Sequence, residues 1–248
     1  MKIWEIRFEG LTGEEERFLE EFYEKLNFLE VKETGREIKV NIVRDVHEGE
    51  RKFCYGTESD TKIPGWERKE LKDGVIFKTK TPLFAEVRPY SVTVYGRPDK
   101  NHLRMSVIDI LHNLAYSHVF VHASSVSNGK TSTLILGRSG SGKTRTMLEM
   151  LKKGYILLSE DFSVLDREMK IAYPFNTYSA VSLNDIEKFG MEYDFITTCN
   201  KGMVHLEKYF KTDKFPREIG DVVSLDGTNL EDSIIEYRNW AGEIFYEE

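Results

Sequence analysis

The sequence predicts an α/β protein whose carboxy-terminal part carries a mixed sheet, preceded by a β-rich α+β region. Three observations carry that prediction. Short segments of β character, set off by Gly, Asp and Pro, fill residues 28–96. An apolar strand then runs into a glycine-rich loop and out into an amphipathic helix over 134–151. A second apolar segment, "YILLSEDFSVLD", follows and completes a strand–helix–strand unit. Such a unit implies a sheet that is at least partly parallel, with ligands at the carboxyl ends of its strands.

Composition narrows the class. At 248 residues the chain is long enough for one large domain or a domain with a smaller companion. Hydrophobic residues supply 40% and charged residues 31%, so a packed core is expected. The net charge is −7 with no dense Lys/Arg tract, which argues against a general nucleic-acid partner. No 18-residue apolar run occurs, and "MKIWEIRFEG" is too charged for a signal peptide, so no membrane span and no export are expected. Cys54 and Cys199 have no metal-ligand spacing and read as reduced thiols of a cytoplasmic protein.

The elements follow in order. Residues 1–10 alternate as a strand with Ile3, Trp4, Ile6 and Phe8 as the apolar positions. "LTGEEERFLEEFYEKL" predicts a helix, capped by Thr12 with Glu15, with Phe18, Leu19, Phe22, Tyr23 and Leu26 on one face. Strands are expected at "FLEVKE", "EIKVNIVRD", "RKFCYG", "GVIFKTKT" and "YSVTVYG", with a hairpin turn at "KDG", residues 72–74. The pattern changes near residue 100, which divides a β-rich region, 1–100, from a core, 101–248. That core opens with a helix over 102–118, built on Leu103, Val107, Ile110, Leu111 and Leu114. A strand "VFVHASSV", a turn at "SNGK" and a strand "TSTLILG" lead to the loop.

Gly137-Arg138-Ser139-Gly140-Ser141-Gly142-Lys143-Thr144 fits G-x-x-x-x-G-K-[ST], the phosphate-gripping P-loop, in the strand-to-helix context it requires. Its glycines let backbone N–H groups turn inward around oxyanions, and the following helix adds its positive end. The Lys143 ammonium is suited to the β- and γ-phosphates of ATP, and the Thr144 hydroxyl to Mg²⁺. Arg138 and Arg145 bracket the loop and are counted with it, although an exposed salt bridge accounts for Arg138 more simply. A hydrophobic strand ends in Glu160-Asp161 only 18 residues after Lys143. That short gap points to a compact kinase-like core, with Thr144 and Asp161 as metal ligands and Glu160 or Asp161 serving the incoming hydroxyl.

The stretch from His122 to Asp161 resembles the catalytic core of the HPr kinase/phosphorylase family, whose members share a phosphoenolpyruvate-carboxykinase-like P-loop fold. The shared pattern is a His-containing strand, G-x-S-G-x-G-K-[ST], a helix ending in K-R-G and a strand ending in Asp-Asp. It covers 40 of the 248 residues without a gap. Glu160 stands where the pattern has its first aspartate. The family's E-V-R-G-like and Arg-Gly-Arg-Asn-like segments have no clear counterpart, so the resemblance supports an HPr-kinase-like phosphotransferase rather than HPr as acceptor. It implies that the two carboxylates share metal and base duties and that His122 stands near the acceptor or steadies an acid. A hydrogen-bonded core histidine is the equal alternative for His122. The resemblance also offers Arg217, in "KFPREIGDVV", as a late arginine reaching the γ-phosphate.

Two side readings complete the survey. His118 and His122 lie four apart with no third ligand, which excludes a zinc site. "YPFNTYS", residues 173–179, is a candidate acceptor or adenine wall in which Asn176 and Thr177 are the polar groups, whereas packing explains Tyr173 and Phe175 better. The expected protein is an ATP- and Mg²⁺-dependent cytoplasmic kinase acting on a protein serine or a small metabolite, compatible with a homo-oligomer. Its amino-terminal region would supply acceptor specificity or oligomer contacts. The alternatives are a nucleotide-binding regulatory module and a P-loop hydrolase without a phosphoryl acceptor. The lack of an N-K-x-D motif disfavours a GTPase.

Overall fold

The structure, a computed structural model, describes residues 5–24, 37–43, 67–71, 74–78, 84–88, 91–95, 118–197 and 200–234. The described residues up to Tyr95 belong to one compact unit and those from His118 to a second.

The first unit is a six-stranded sheet with one described helix. Its strands are β1 (Glu5–Glu9), β2 (Glu37–Val43), β3 (Glu67–Leu71), β4 (Gly74–Lys78), β5 (Phe84–Arg88) and β6 (Ser91–Tyr95). They lie in the order β1-β2-β6-β5-β4-β3. β1 with β2 and β2 with β6 are parallel, and the remaining pairs are antiparallel. Helix α1 (Gly13–Glu24) begins at the expected capping box. Thr12 N donates to Glu15 Oε2 at 2.8 Å, and Glu15 N donates back to Thr12 Oγ1 at 3.3 Å, so two orphan amides are satisfied reciprocally. Leu19 of its apolar face is fully buried. Leu71 pairs with Gly74, so β3 and β4 are antiparallel neighbours on either side of the hairpin turn expected at 72–74. The strands expected at "FLEVKE" and "RKFCYG" lie outside the described residues, as does the helix expected over 102–118, except that His118 opens a strand.

The second unit is α/β, with a mixed seven-stranded sheet. Its strands are β7 (His118–Val121), β8 (Ser124–Ser127), β9 (Thr131–Leu136), β10 (Ile156–Ser159), β11 (Ser163–Asp166), β12 (Ile171–Tyr173) and β15 (Arg217–Ser224), ordered β10-β8-β9-β15-β12-β11-β7. Helix α2 (Lys143–Lys152) joins β9 to β10. Those two strands run the same way with antiparallel β8 between them. The directly paired parallel strands are β9 and β15. A separate ribbon pairs β13 (Tyr178–Ser182) with β14 (Lys201–His205), flanked by helix α3 (Leu183–Phe189).

Alternation along β9 builds both faces of the core. Ile135 packs with Met147, Leu148 and Leu151 of α2, together with Val181, Ile186 and Val204. Leu134 and Leu136 pack on the opposite side with Val121, Leu165, Ala172 and Ile234. The end of α2 is closed by a paired backbone motif. Gly154 N donates to Leu151 O at 3.0 Å and Tyr155 N to Met150 O at 3.2 Å; this turn needs the left-handed φ of 97° that Gly154 supplies.

"VFVHASSV" and "YILLSEDFSVLD" were each expected as one strand, and each is interrupted. β7 and β8 flank His122 and Ala123, while β10 and β11 flank residues 160–162. The ladder partners on the two sides of the break follow one register from the Ser159–Ser125 pair onward, a one-residue shift lying before it, between Leu157 and Ser159. Local bonds cause the interruptions. Ala123 N donates to Val121 O at 2.9 Å and Phe162 N to Glu160 O at 2.7 Å, which makes His122 and Asp161 the centres of two facing three-residue turns. Among the described residues no helix is long and apolar enough to cross a membrane.

Candidate functional site

The loop after β9 is folded around its own lysine. Lys143 is buried, and its Nζ donates to Gly137 O at 2.6 Å and Arg138 O at 3.2 Å. Gly137, at φ 152°, has no room for a side chain, since a Cβ there would collide with the Ser141 hydroxyl. Gly142 precedes α2 in a left-handed conformation and offers no side-chain cap. The first amides of that helix are therefore not claimed by a capping side chain.

The two adjacent carboxylates have different surroundings. Glu160 is buried; Thr144 Oγ1 donates to its Oε1 at 2.6 Å, and Ser179 Oγ donates to its Oε2. Its backbone is held on both sides by one residue. Glu160 N donates to Asn176 O at 2.8 Å, and Asn176 Nδ2 donates to Glu160 O at 2.6 Å. Asp161 is partly exposed and lies with Oδ1 3.4 Å from His122 Nε2. It adopts φ 66°, a left-handed conformation uncommon outside glycine. Asp161 was the expected metal partner of Thr144; the carboxylate that accepts a hydrogen bond from Thr144 is that of Glu160.

The remaining expected residues divide cleanly. Arg138 is joined to the chain's far segment through its backbone, its N donating to Asp226 Oδ2 at 2.8 Å. The Arg145 side chain turns away to α3, with Nε donating to buried Asp185 Oδ1 at 2.9 Å. Arg217 is not brought to the loop. It opens β15, whose neighbour Glu218 pairs with Thr131 at the start of β9, whereas the loop follows the end of β9. Six strand positions separate the two ends, about 20 Å. There Arg217 Nε and Nη2 clasp Asp213 Oδ2 and Oδ1 at 2.8 and 2.9 Å, and Ser127 Oγ donates to the same carboxylate. Burial pushes the Asp213 carboxyl up, but bonds from Arg217, Ser127 and the Phe215 amide outweigh it and hold the group below its ordinary value.

In "YPFNTYS" the structure separates packing from polar work. Phe175 is buried edge-on against Phe120 with centroids 6.1 Å apart, and His118 meets Tyr173 edge-on at 4.7 Å. Asn176 holds the Glu160 backbone as described. Ser179 and Asp226 were missed by sequence reasoning. A serine in a strand carries no signal of its own, but "SLDGTN" at 224–229 has the Asx-turn composition that marks a structured carboxylate. Among the described residues no three His, Cys, Asp or Glu side chains converge on one point. A cation here would be held by one carboxylate, the Thr144 hydroxyl and oxygens of its own ligand.

No protein-family model matches the chain, and no curated protein matches it either.

Proposed function

We propose that the protein is an ATP- and Mg²⁺-dependent kinase, HPr-kinase-like in its core, that transfers the γ-phosphoryl group to a hydroxyl on a protein serine or a small metabolite. The observation that carries this reading is the division of labour between neighbouring acids: Glu160 against Thr144, Asp161 against His122. A P-loop that merely held nucleotide would need the first pair alone. The strained backbone at Asp161 favours a role for the second, because such conformations cluster at working sites.

The residues present fit ATP and Mg²⁺. A side-chain-free wall at Gly137, uncapped helix amides and the buried Ser141 hydroxyl, which has no hydrogen-bond partner among the described residues, are the surroundings an oxyanion needs. Bound there, the nucleotide supplies the phosphoryl group and the metal supplies charge that stabilises its transfer. Lys143 and the loop amides hold the phosphates. Thr144 and Glu160 hold the metal side, with Ser179 keeping the Glu160 carboxylate turned toward the helix. Asp161 accepts the proton of the acceptor hydroxyl, and His122 Nε2 orients that carboxylate. Use of ATP agrees with a cytoplasmic location.

The test is transfer of label from γ-³²P-ATP in a pool of peptides and metabolites. Label on a third molecule, abolished in Lys143→Ala, is the expected result. Label released only as inorganic phosphate, or retained on ATP, would replace this reading by a hydrolase or a nucleotide-holding module.

A further inference from the structure

A carboxylate from a distant part of the chain meets the start of the loop. β15 pairs in parallel with β9 up to Ser224 and Leu136, and Leu225 N extends the pairing to Leu136 O at 3.1 Å. The next residue is Asp226. Its Oδ2 accepts from Arg138 N at 2.8 Å, and its Oδ1 accepts from Thr228 N at 3.2 Å and Thr228 Oγ1 at 2.6 Å. Oδ1 also stands 3.5 Å from the place a Gly137 Cβ would occupy, so the carboxylate lies against the loop's first glycine.

We propose that Asp226 is a positioning residue for nucleotide, clamping the first turn of the 137–144 loop so that its remaining amides are aimed before phosphate arrives. The inference rests on the nucleotide-binding reading above. A carboxylate repels phosphate, so Asp226 has no favourable contact to offer the ligand itself. What it offers is order. A loop with three glycines in eight residues has wide conformational freedom, and every amide aimed in advance removes ordering cost from binding. The clamp is specific in its demand for a carboxylate, because all three bonds it accepts come from donors. An asparagine in its place would turn an NH₂ toward either the Arg138 amide or the Thr228 amide, two donors facing one another. Bonds from Thr228 and the Arg138 amide also hold the Asp226 carboxyl down at about 2, so the clamp stays ionised through the neutral range.

The experiment measures ATP binding with Mg²⁺ by calorimetry for the full chain, Asp226→Asn, Thr228→Val and Thr228→Ser, beside the steady-state constants. Asp226→Asn is expected to weaken ATP about ten- to a hundredfold, in Kd and KM together, with kcat within about twofold. Thr228→Val should weaken it less, and Thr228→Ser, which keeps the hydroxyl, should restore it. Amide exchange of residues 137–142 in the ligand-free protein should quicken in Asp226→Asn by more than that of the neighbouring strand β9. Parent protein that binds ATP while Asp226→Asn binds equally well overturns the clamp and leaves the kinase reading standing. Equal losses in kcat and KM would also overturn it, because a clamp on the loop acts on binding. Parent protein that binds no ATP overturns both.

Discussion

Thr144 Oγ1 donates to Glu160 Oε1 across 2.6 Å, which ties the first turn of α2 to the residue that follows β10. Hydroxyl and carboxylate oxygens this close make a hard-ligand pair suited to magnesium. Glu160→Gln keeps an acceptor for Thr144 but removes the charge. Its expected result is an apparent Mg²⁺ affinity lower by about ten- to a hundredfold, with ATP binding in EDTA unchanged. Parallel calorimetry with and without metal reads both quantities.

On the proposed reading, Asp161 is the proton acceptor. Asp161→Asn should lower kcat by about 10² to 10⁴ while metal-free nucleotide binding stays within about twofold. His122→Ala should produce a smaller fall in kcat, since it removes the group that orients Asp161 rather than the acceptor of the proton. Stopped-time assays with saturating ATP separate the two variants. Equal loss of nucleotide binding in Asp161→Asn would make that residue structural.

Arg217 supports the fold at the opposite end of the sheet. Arg217→Ala leaves the buried Asp213 carboxylate without its bidentate partner. A Tm lower by roughly 5 °C or more is expected, with KM for ATP unchanged. A raised KM at unaltered stability would return Arg217 to the phosphate.

The depressed Asp226 carboxyl gives a pH dependence with a definite sign. Its folded value, about 2, lies below the ordinary carboxylate value of 3.8. Ionised Asp226 therefore favours the folded state above the ordinary value, and that contribution disappears as pH falls through the folded one. The Tm difference between the parent and Asp226→Asn should shrink across roughly pH 4 to 2 and vanish below it. Calorimetric scans at several acidic pH values check it.

The parts of this protein that were legible in the sequence are those whose causes are local. The Thr12–Glu15 cap, the turn at 72–74, the glycine loop and the stop of α2 at Gly154 each depend on residues a few positions apart. β3 was not foreseen because "ERKEL" is almost wholly charged, a composition that an edge strand tolerates. β5, five residues between Pro82-bearing and Pro89-bearing punctuation, was too short to stand out. The contrast between the surroundings of Glu160 and Asp161 was hidden for another reason. It is decided by Thr144, Ser179 and His122, which lie 16, 19 and 39 residues away. Arg217 misled because proximity to a strand says nothing about which end of the sheet that residue marks.

The shared register on either side of the His122 and Asp161 turns has an evolutionary corollary. Because the ladder resumes almost in step beyond the gap, residues 122–123 and 160–162 carry no strand pairing of their own. Side chains in that window are held by turns and hydrogen bonds rather than by the ladder, so a substitution there leaves the strands on either side paired. On the proposed reading, a scaffold of this kind lets the chemistry of the window change without loss of the sheet that carries it.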